Sequence, residues 1–233
     1  MTITSSDNQW IKELRRLATS HGRGKSSLFA AEGEDLVSAA LSAGWVAKAV
    51  LVREGSELGG DEVEAELLDS VSTLGSGTRM IGIFERTFAA SPTAGLIVHL
   101  CGVKDPGNVG TIIRSAHALG ASCVSLGPDS GDPFSGKAVR ASMGSVFAVP
   151  VLEDWPVGDL PGLLVGLTGK GEVGPIPDGD LTLVVGSERD GLPAEVLAAC
   201  DLLWAIPMAP GAESLNASVA ASVALYAANR MLG

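Results

Sequence analysis

Apolar and polar residues alternate over the first 88 positions in a way that predicts helices and strands in turn. From Asp7 to Leu17, apolar residues recur at helical spacing with basic residues between them, which predicts an amphipathic helix with Asp7 as its N-cap. A glycine-rich basic loop follows at 21–25. The later pattern predicts a helix over Glu34–Ala43, a strand over Ala47–Val52, a helix over Asp61–Ser70 and a strand over Arg79–Phe84. This alternation is typical of a small α/β domain, here residues 1–88.

The second part of the chain, residues 95–233, repeats the alternation on a larger scale after a linker-like segment at 89–95. Its predicted strands are Leu96–Leu100, Cys123–Leu126, Val146–Val151, Leu163–Thr168, Leu181–Val185 and Leu203–Ile206. Its predicted helices are Val109–Leu119, Ser135–Met143, Pro193–Ala199 and Ser214–Leu232. Because the strands are short and apolar on both faces, we expect a mostly parallel sheet covered by helices on both sides. The fold class is α/β.

Composition narrows the class of protein. No run of about 18 apolar residues is present, so no membrane span is expected. The first ten residues, MTITSSDNQW, lack the features of a signal peptide. Cys101, Cys123 and Cys200 are odd in number and form no CxxC pair, which favours buried free thiols in a reducing compartment. Together these features predict a soluble cytoplasmic protein. The three histidines have no metal-ligand spacing, so no metal site is expected.

The net charge of −11 argues at first against a nucleic-acid partner, because binding to a phosphate backbone depends on lysine and arginine. The basic residues are, however, concentrated. Between residues 12 and 25, Glu13 is the only acidic residue, and the basic ones are Lys12, Arg15, Arg16, Arg23 and Lys25. This cluster is either a solvated helix face or the place where an RNA docks.

Three glycine-containing stretches lie where predicted strands end, at residues 105–116, 183–193 and 206–218. Each has an ordinary structural interpretation. The first is a strand-to-helix loop in which Asn108 can cap a helix, the second is a tight turn in which Pro193 begins a helix, and the third contains Ser214 as a helix cap. Neither GxGxxG nor GxxxxGK[ST] occurs, so a dinucleotide fold or P-loop has no support.

Three features of these stretches also indicate a ligand site. Arg114 lies inside a predicted apolar helix, where an unpaired charge needs a partner or an anionic ligand. Gly186 and Gly191 let the backbone approach a ligand at the carboxyl end of a parallel strand. Asn216 begins an apolar helix, so we expect it to be buried and to need a hydrogen-bonding partner.

In this order and spacing, the three stretches resemble the sequence motifs of the SpoU family of RNA ribose 2′-O-methyltransferases, part of the SPOUT class. The resemblance covers Leu96–Leu232, and residues 1–88 are similar to the ribosomal-protein-like substrate-binding domain of such enzymes. It implies a C-terminal parallel-sheet domain with a deep trefoil knot, a rare exception to the rule that chains are un-knotted. It also implies bound S-adenosylmethionine and an obligate homodimer whose two subunits share each active site.

The resemblance implies three groups of site residues. The catalytic set is Asn108, Arg114, Glu188 and Asn216. The cofactor pocket comprises Leu167, Thr168, Gly186, Gly191, Ile206, Met208, Ser214, Leu215 and Asn216. Arg140 is similar to a substrate-side arginine and joins the basic cluster as an RNA-binding residue. No metal belongs to this chemistry.

The implied reaction is methyl transfer from S-adenosylmethionine to a ribose 2′-hydroxyl. An arginine stays protonated, so Arg114 is expected to stabilise negative charge on the hydroxyl oxygen rather than act as a base. Ribosomal RNA is favoured over tRNA as substrate because of the ribosomal-protein-like domain. The alternatives are a tRNA methyltransferase of the same family and a non-catalytic RNA-binding or ribosome-assembly factor on the same fold.

Overall fold

The computed structural model describes residues 2–229. The N-terminal part (residues 2–88) contains a four-stranded sheet in the order β1-β4-β2-β3, in which β4 is antiparallel to β1 and β2. The strands are β1 (Leu28–Glu32), β2 (Ala47–Arg53), β3 (Asp61–Val63) and β4 (Met80–Glu85). The helices are α1 (Gln9–Leu17), α2 (Ser20–Arg23), α3 (Glu34–Ser42) and α4 (Ala65–Asp69).

The C-terminal part (residues 95–229) contains a six-stranded sheet in the order β10-β8-β9-β5-β6-β7. All neighbouring strands are parallel, as the apolar strand pattern predicts. The strands are β5 (Leu96–Cys101), β6 (Cys123–Leu126), β7 (Val151–Leu152), β8 (Leu163–Glu172), β9 (Leu181–Gly186) and β10 (Leu202–Trp204). The helices are α5 (Pro106–Ala118), α6 (Gly136–Ser142), α7 (Ala194–Ala199) and α8 (Ala217–Asn229), with short 3₁₀ turns at Ser145–Phe147 and Val157–Asp159.

Two predicted elements are wrong. In place of one helix over Asp61–Ser70, the chain forms β3 and then α4, because β3 pairs with β2 and Ile3 bridges to Val63 on its other side. The predicted strand Val146–Val151 is a 3₁₀ turn followed by the two-residue β7. Its apolar residues are buried by packing in the core rather than by strand pairing.

Four predicted helix starts also differ from the structure. Asn8 rather than Asp7 caps α1, and its side chain accepts from the backbone N–H of Trp10 at 2.8 Å. Asp105 rather than Asn108 caps α5, and Asn216 rather than Ser214 precedes α8 and accepts from the N–H of Ser218. Pro193 occupies the cap position of α7 instead of its first turn. The predicted end of the last helix, at Leu232, lies outside the described residues.

An aromatic cluster joins the two parts of the molecule. The ring of Phe29 on β1 lies 4.7 Å from that of Phe134 and 6.2 Å from that of Phe147, both in the C-terminal part. Trp45 donates its indole N–H to the carbonyl of Phe147 at 3.0 Å. Buried residues of both sheets belong to one continuous apolar core around these rings. The N-terminal part is therefore held firmly beside α6.

Buried titratable groups in the six-stranded sheet have ordinary structural roles. His99 on β5 contacts the Ser125 hydroxyl through Nδ1 at 3.0 Å, and burial lowers its pKa to about 4. All three cysteines are free thiols, but only Cys123 is buried; Cys101 and Cys200 are half-buried, so the expectation of three buried thiols is wrong. Burial raises the pKa of each thiol. Among residues 2–229, no helix is long and apolar enough to cross a membrane.

Candidate active site

A cavity of about 350 Å³ lies where β9 and β10 end, beside the middle of β8, and we call it the strand-end cavity. The carboxyl ends of parallel strands meet at one edge of a sheet, where open α/β folds bind ligands. Eight of the nine residues predicted for a cofactor pocket line it. They are Leu167, Thr168, Gly186, Gly191, Ile206, Met208, Ser214 and Leu215.

The turn after β9 forms the tightest wall of the strand-end cavity. Ser187 and Gly191 exchange two backbone hydrogen bonds, both 3.1 Å long. A Cβ on Gly186 would lie 2.3 Å from the carbonyl carbon of Gly191, a distance that no side chain tolerates. Gly191 has a φ of +67°, which favours glycine. Both glycines are therefore needed for the wall to exist in this form.

The strand-end cavity has mixed chemistry. Leu167, Ile206 and Leu215 supply apolar surface, whereas Thr168 and the backbone of the β9 turn supply hydrogen-bonding groups. Trp204, which the sequence analysis missed, also lines the cavity and is fixed by an indole N–H bond to the carbonyl of Gly174 at 2.7 Å. The only sequence signal for Trp204 was its place within a short apolar strand. Such a cavity suits a ligand with an apolar ring and several polar groups.

Three members of the predicted catalytic set are joined by hydrogen bonds beside this cavity. Asn108 donates from Nδ2 to Glu188 Oε1 at 2.6 Å, and Asn216 donates from Nδ2 to Asn108 Oδ1 at 3.1 Å. The Asn216 Oδ1 accepts from the Ser218 backbone at 2.9 Å and from its hydroxyl at 2.6 Å. These acceptors fix both amide orientations, since each amide has one oxygen and one NH₂ group. Asn216 has the expected partners but is exposed, so the prediction of its burial is wrong.

Arg114, the fourth member, lies apart from this cluster. It is six residues beyond Asn108 on α5, about 9 Å further along the helix axis. Its side chain is exposed rather than buried, contrary to expectation, and has no partner among the described residues. Thr111, its neighbour on the helix surface, lines a shallow patch with Val219 and Val223 of α8. One chain therefore brings three of the four predicted catalytic residues together.

Several side chains of the predicted basic cluster form ion pairs with acidic residues of the same chain. Lys12 lies 2.9 Å from Asp7, and Arg16 contacts Glu13 and the carbonyl of Lys25. Arg23 is only 14% exposed and bridges to Asp132 of the C-terminal part at 2.8 Å. The side chains that remain well exposed are Lys12, Arg15, Arg16 and Lys25.

Arg140, the remaining predicted RNA-binding residue, lies on α6 at the boundary between the two parts. It donates from Nη1 to the hydroxyl of Thr73 at 2.8 Å. It lines a cavity separate from the strand-end cavity, together with Arg23 and Lys137. Within the described part of the chain, no group of three His, Cys, Asp or Glu side chains is placed to hold a metal ion.

Comparison with known families matches almost the whole chain in two segments. The SpoU rRNA methylase family matches residues 95–226. The MRM3-like substrate binding domain matches residues 8–90. The boundary between the two matches falls in the linker-like segment.

Individual relatives match over nearly full length. The 23S rRNA (guanosine(2553)-2′-O)-methyltransferase RlmP of Bacillus subtilis is 30% identical, over 96% of this chain and 97% of its own. The structure of an AdoMet-bound rRNA methyltransferase from Sinorhizobium meliloti is 32% identical, with a TM-score of 0.88 over 100% of this chain and 98% of its own. AviRb of Streptomyces viridochromogenes, a SpoU methyltransferase in complex with AdoMet, is 26% identical, with a TM-score of 0.83 over 96% and 97% of the two chains.

Proposed function

The chain belongs to the SpoU rRNA methylase family, and from this premise we propose that it transfers a methyl group from S-adenosylmethionine to a ribose 2′-hydroxyl of ribosomal RNA. The observation that carries the proposal is the position of the Asn108–Glu188–Asn216 cluster at the mouth of the strand-end cavity. A methyl donor in the cavity and a hydroxyl at the cluster would be neighbours. The similarity to RlmP, which is named for 23S rRNA, favours ribosomal RNA as the substrate.

The residues of the strand-end cavity fit S-adenosylmethionine. The close approach of Gly186 to Gly191 leaves backbone groups rather than side chains along one wall, where they can bond to a polar nucleoside. Leu167, Ile206 and Leu215 offer apolar contact to an adenine ring. When bound, S-adenosylmethionine would supply an electrophilic methyl group on a sulfonium; transfer to the ribose oxygen would break the sulfur–methyl bond, leave the thioether S-adenosylhomocysteine and release the hydroxyl proton to water.

The cluster residues position the ribose in this proposal. Glu188 lines the cavity, and its Oε2 is not used by the cluster, so it is available to accept a hydrogen bond from a ribose hydroxyl. Asn108 holds Glu188 from one side and is itself held by Asn216. Such positioning converts a weak nucleophile into one held close to its target, which lowers the activation barrier.

Arg114 stabilises the negative charge that develops on the ribose oxygen. An arginine guanidinium is a poor general base, so the role of Arg114 rests on its charge and its N–H donors. Since Arg114 is apart from the cluster in its own chain, we propose that it serves the site of a second copy. The exposed Val219 and Val223 of α8 lie near it and provide an apolar surface for that homodimer.

Three further features belong to the proposal. Residues 1–88 act as the RNA substrate-binding domain and residues 95–233 as the methyltransferase domain, as their separate family matches favour. The strand-end loops and α8 form a trefoil knot, as the SPOUT resemblance implies. The enzyme works in the cytoplasm, where ribosomal RNA would be its substrate.

The proposal is tested with purified protein, S-adenosylmethionine labelled in the methyl group, and RNA that lacks the modification. In vitro transcribed 23S rRNA, 16S rRNA and total tRNA are offered separately. We expect label in 23S rRNA, in a dinucleotide that resists alkaline hydrolysis because its 2′-oxygen is blocked. Label in tRNA alone would establish the tRNA alternative. RNA binding without cofactor binding or label would establish the non-catalytic alternative.

A further inference from the structure

A second cavity, of about 260 Å³, lies between the two parts of the molecule, and we call it the junction cavity. Leu14 of α1 and Thr73 line its N-terminal side, and residues of α6 line the other. Pro106, the first residue of α5, also reaches its wall. Asn108, two residues later, belongs to the cluster at the strand-end cavity. The first turn of α5 therefore separates the junction cavity from the proposed site of methyl transfer.

Two cations of α6 line the junction cavity. Lys137 is well exposed and pairs through Nζ with Asp105 Oδ2 at 2.6 Å. Among the described residues Arg140 makes one hydrogen bond, from Nη1 to Thr73 Oγ1. A guanidinium has five N–H groups, so most of its donors remain available to a ligand. An anion next to α6 would meet both side chains.

Thr73 fixes the direction of Arg140 through a buried carboxylate. Glu32, at the end of β1, is only 7% exposed and accepts from the hydroxyl of Thr73 at 2.6 Å and from its N–H at 3.0 Å. Ser72 donates to the other oxygen of Glu32 at 2.8 Å. A hydroxyl has a single hydrogen, and that of Thr73 points to Glu32. Its lone pairs therefore face Arg140 and accept the guanidinium N–H.

The backbone of α6 is fitted closely to this arrangement. A Cβ on Gly136 would lie 3.3 Å from Arg140 Nη1 and 3.5 Å from Thr73 Oγ1. The arginine, the threonine and the start of α6 thus occupy one small volume, although Thr73 and Arg140 are 67 residues apart. Glu32 lines the N-terminal side of the cavity, and hydrogen bonds from Ser72 and Thr73 satisfy both of its carboxylate oxygens there.

We propose that the junction cavity is a subsite for an RNA backbone phosphate next to the methylated ribose, held by Arg140 and Lys137, with Thr73 as a positioning residue that aims Arg140. This inference rests on the proposed function. The cavity is below the ~300–1,000 Å³ of pockets that enclose a whole drug-sized ligand, which suits a ribose-phosphate unit rather than a helix. The N-terminal part then contributes directly to the active site instead of only tethering the RNA.

The test compares Arg140→Gln, Thr73→Val and Thr73→Ser with wild type, using in vitro transcribed 23S rRNA. Thr93→Val and Arg79→Gln serve as controls, because both residues are exposed and neither lines the cavity. Three quantities are measured: the kcat and KM of methyl transfer, the salt dependence of RNA binding, and the affinity for S-adenosylmethionine by calorimetry.

We expect Arg140→Gln to raise the KM for RNA about ten-fold, as loss of a charged hydrogen bond does, with unchanged cofactor affinity. The slope of log K against log salt should become shallower by about 0.7–0.9, one phosphate contact. Thr73→Val should raise the KM about three-fold by the same cause, and Thr73→Ser, which keeps the hydroxyl, should restore it. Thr73→Val combined with Arg140→Gln should be no worse than Arg140→Gln alone.

Other outcomes overturn the inference. If Arg140→Gln lowers the melting temperature but leaves the KM for RNA and the salt slope unchanged, the hydrogen bonds of Arg140, Thr73 and Glu32 only stabilise the contact between the two parts. Equal impairment by Thr73→Val and Thr73→Ser would exclude the hydroxyl as the positioning group. If wild type binds RNA but transfers no methyl group, the proposed function fails, while the salt slope still decides whether the subsite exists.

Discussion

The strand-end cavity and the junction cavity lie on either side of the first turn of α5, but they are built from different materials. The first is lined by the C-terminal part alone, and the close approach of Gly186 to Gly191 sets its shape. Both parts of the chain line the second, which includes the cations Arg23, Lys137 and Arg140. A small ligand can be enclosed by a fixed backbone wall. An RNA, which is a long polyanion, can be held by cationic side chains at the boundary between two parts of a protein.

The rigid wall of the strand-end cavity is the most sensitive point. Gly186→Val places side-chain atoms where the Gly191 backbone lies, so we expect affinity for S-adenosylmethionine to fall more than about 100-fold by calorimetry. Gly169→Ala is the matched control: Gly169 lines the same cavity, but its Cβ would meet no atom within 4 Å. Equal loss in both variants would show that the cavity is not defined by its backbone.

Arg114 tests whether each site is shared between two copies. Arg114→Ala should lower kcat about 100-fold with unchanged cofactor affinity, since it removes one charge-stabilising donor. Asn216→Ala should also be impaired, because it releases Asn108. Mixing the two variants, after exchange of subunits, should restore part of the activity through mixed dimers with one intact site. No recovery in verified mixed dimers would place Arg114 and the cluster in the same subunit's site.

Acid should weaken the sheet beneath the strand-end cavity through His99. Its folded pKa of about 4 is below the unfolded value of 6.5, so the unfolded state binds more protons between these values. Stability is therefore complete above pH 6.5 and falls as the pH drops towards 4, by about 3 kcal/mol in total. Urea unfolding should show this loss in wild type and a flatter profile in His99→Gln.

The exposed basic residues of α1 and the following loop should give the smallest effect. We expect Lys12→Gln, Arg15→Gln and Lys25→Gln together to weaken RNA binding several-fold and to reduce its salt slope, because surface cations contact phosphate without close packing. Lys48→Gln, a paired surface lysine elsewhere in the N-terminal part, is the control. A salt slope identical to wild type would remove this surface from the RNA path.

The sequence predicted the strand-end cavity better than the junction cavity, for a physical reason. The resemblance to the SpoU motifs implied that Leu167, Gly186 and Leu215 share one pocket, and a parallel sheet agrees with this grouping because the carboxyl ends of its strands meet at one edge. The junction cavity depends instead on two hydrogen bonds of Thr73. One joins it to Glu32, 41 positions away, and the other joins it to Arg140, 67 positions away in the C-terminal part. No local pattern encodes such a contact, and it depends on how the two parts pack.

Local competition explains the smaller errors. Asp7, Asn108 and Ser214 are all good capping residues, but Asn8, Asp105 and Asn216 fill those roles one to three positions away. Several candidates of nearly equal capping strength in one turn are separated only by where the packed helix must begin.

The aromatic cluster of Phe29, Trp45, Phe134 and Phe147 has a consequence for protein engineering. The linker at 89–95 looks like a place to exchange the N-terminal part for that of a relative and so redirect the enzyme to another nucleotide. These rings, however, interlock across the linker, so a chimera joined there would carry mismatched halves of one core. A successful graft would therefore have to include the α6 region and the 3₁₀ turn as well. The segment that must be exchanged as one piece is larger than the part of the chain before the linker.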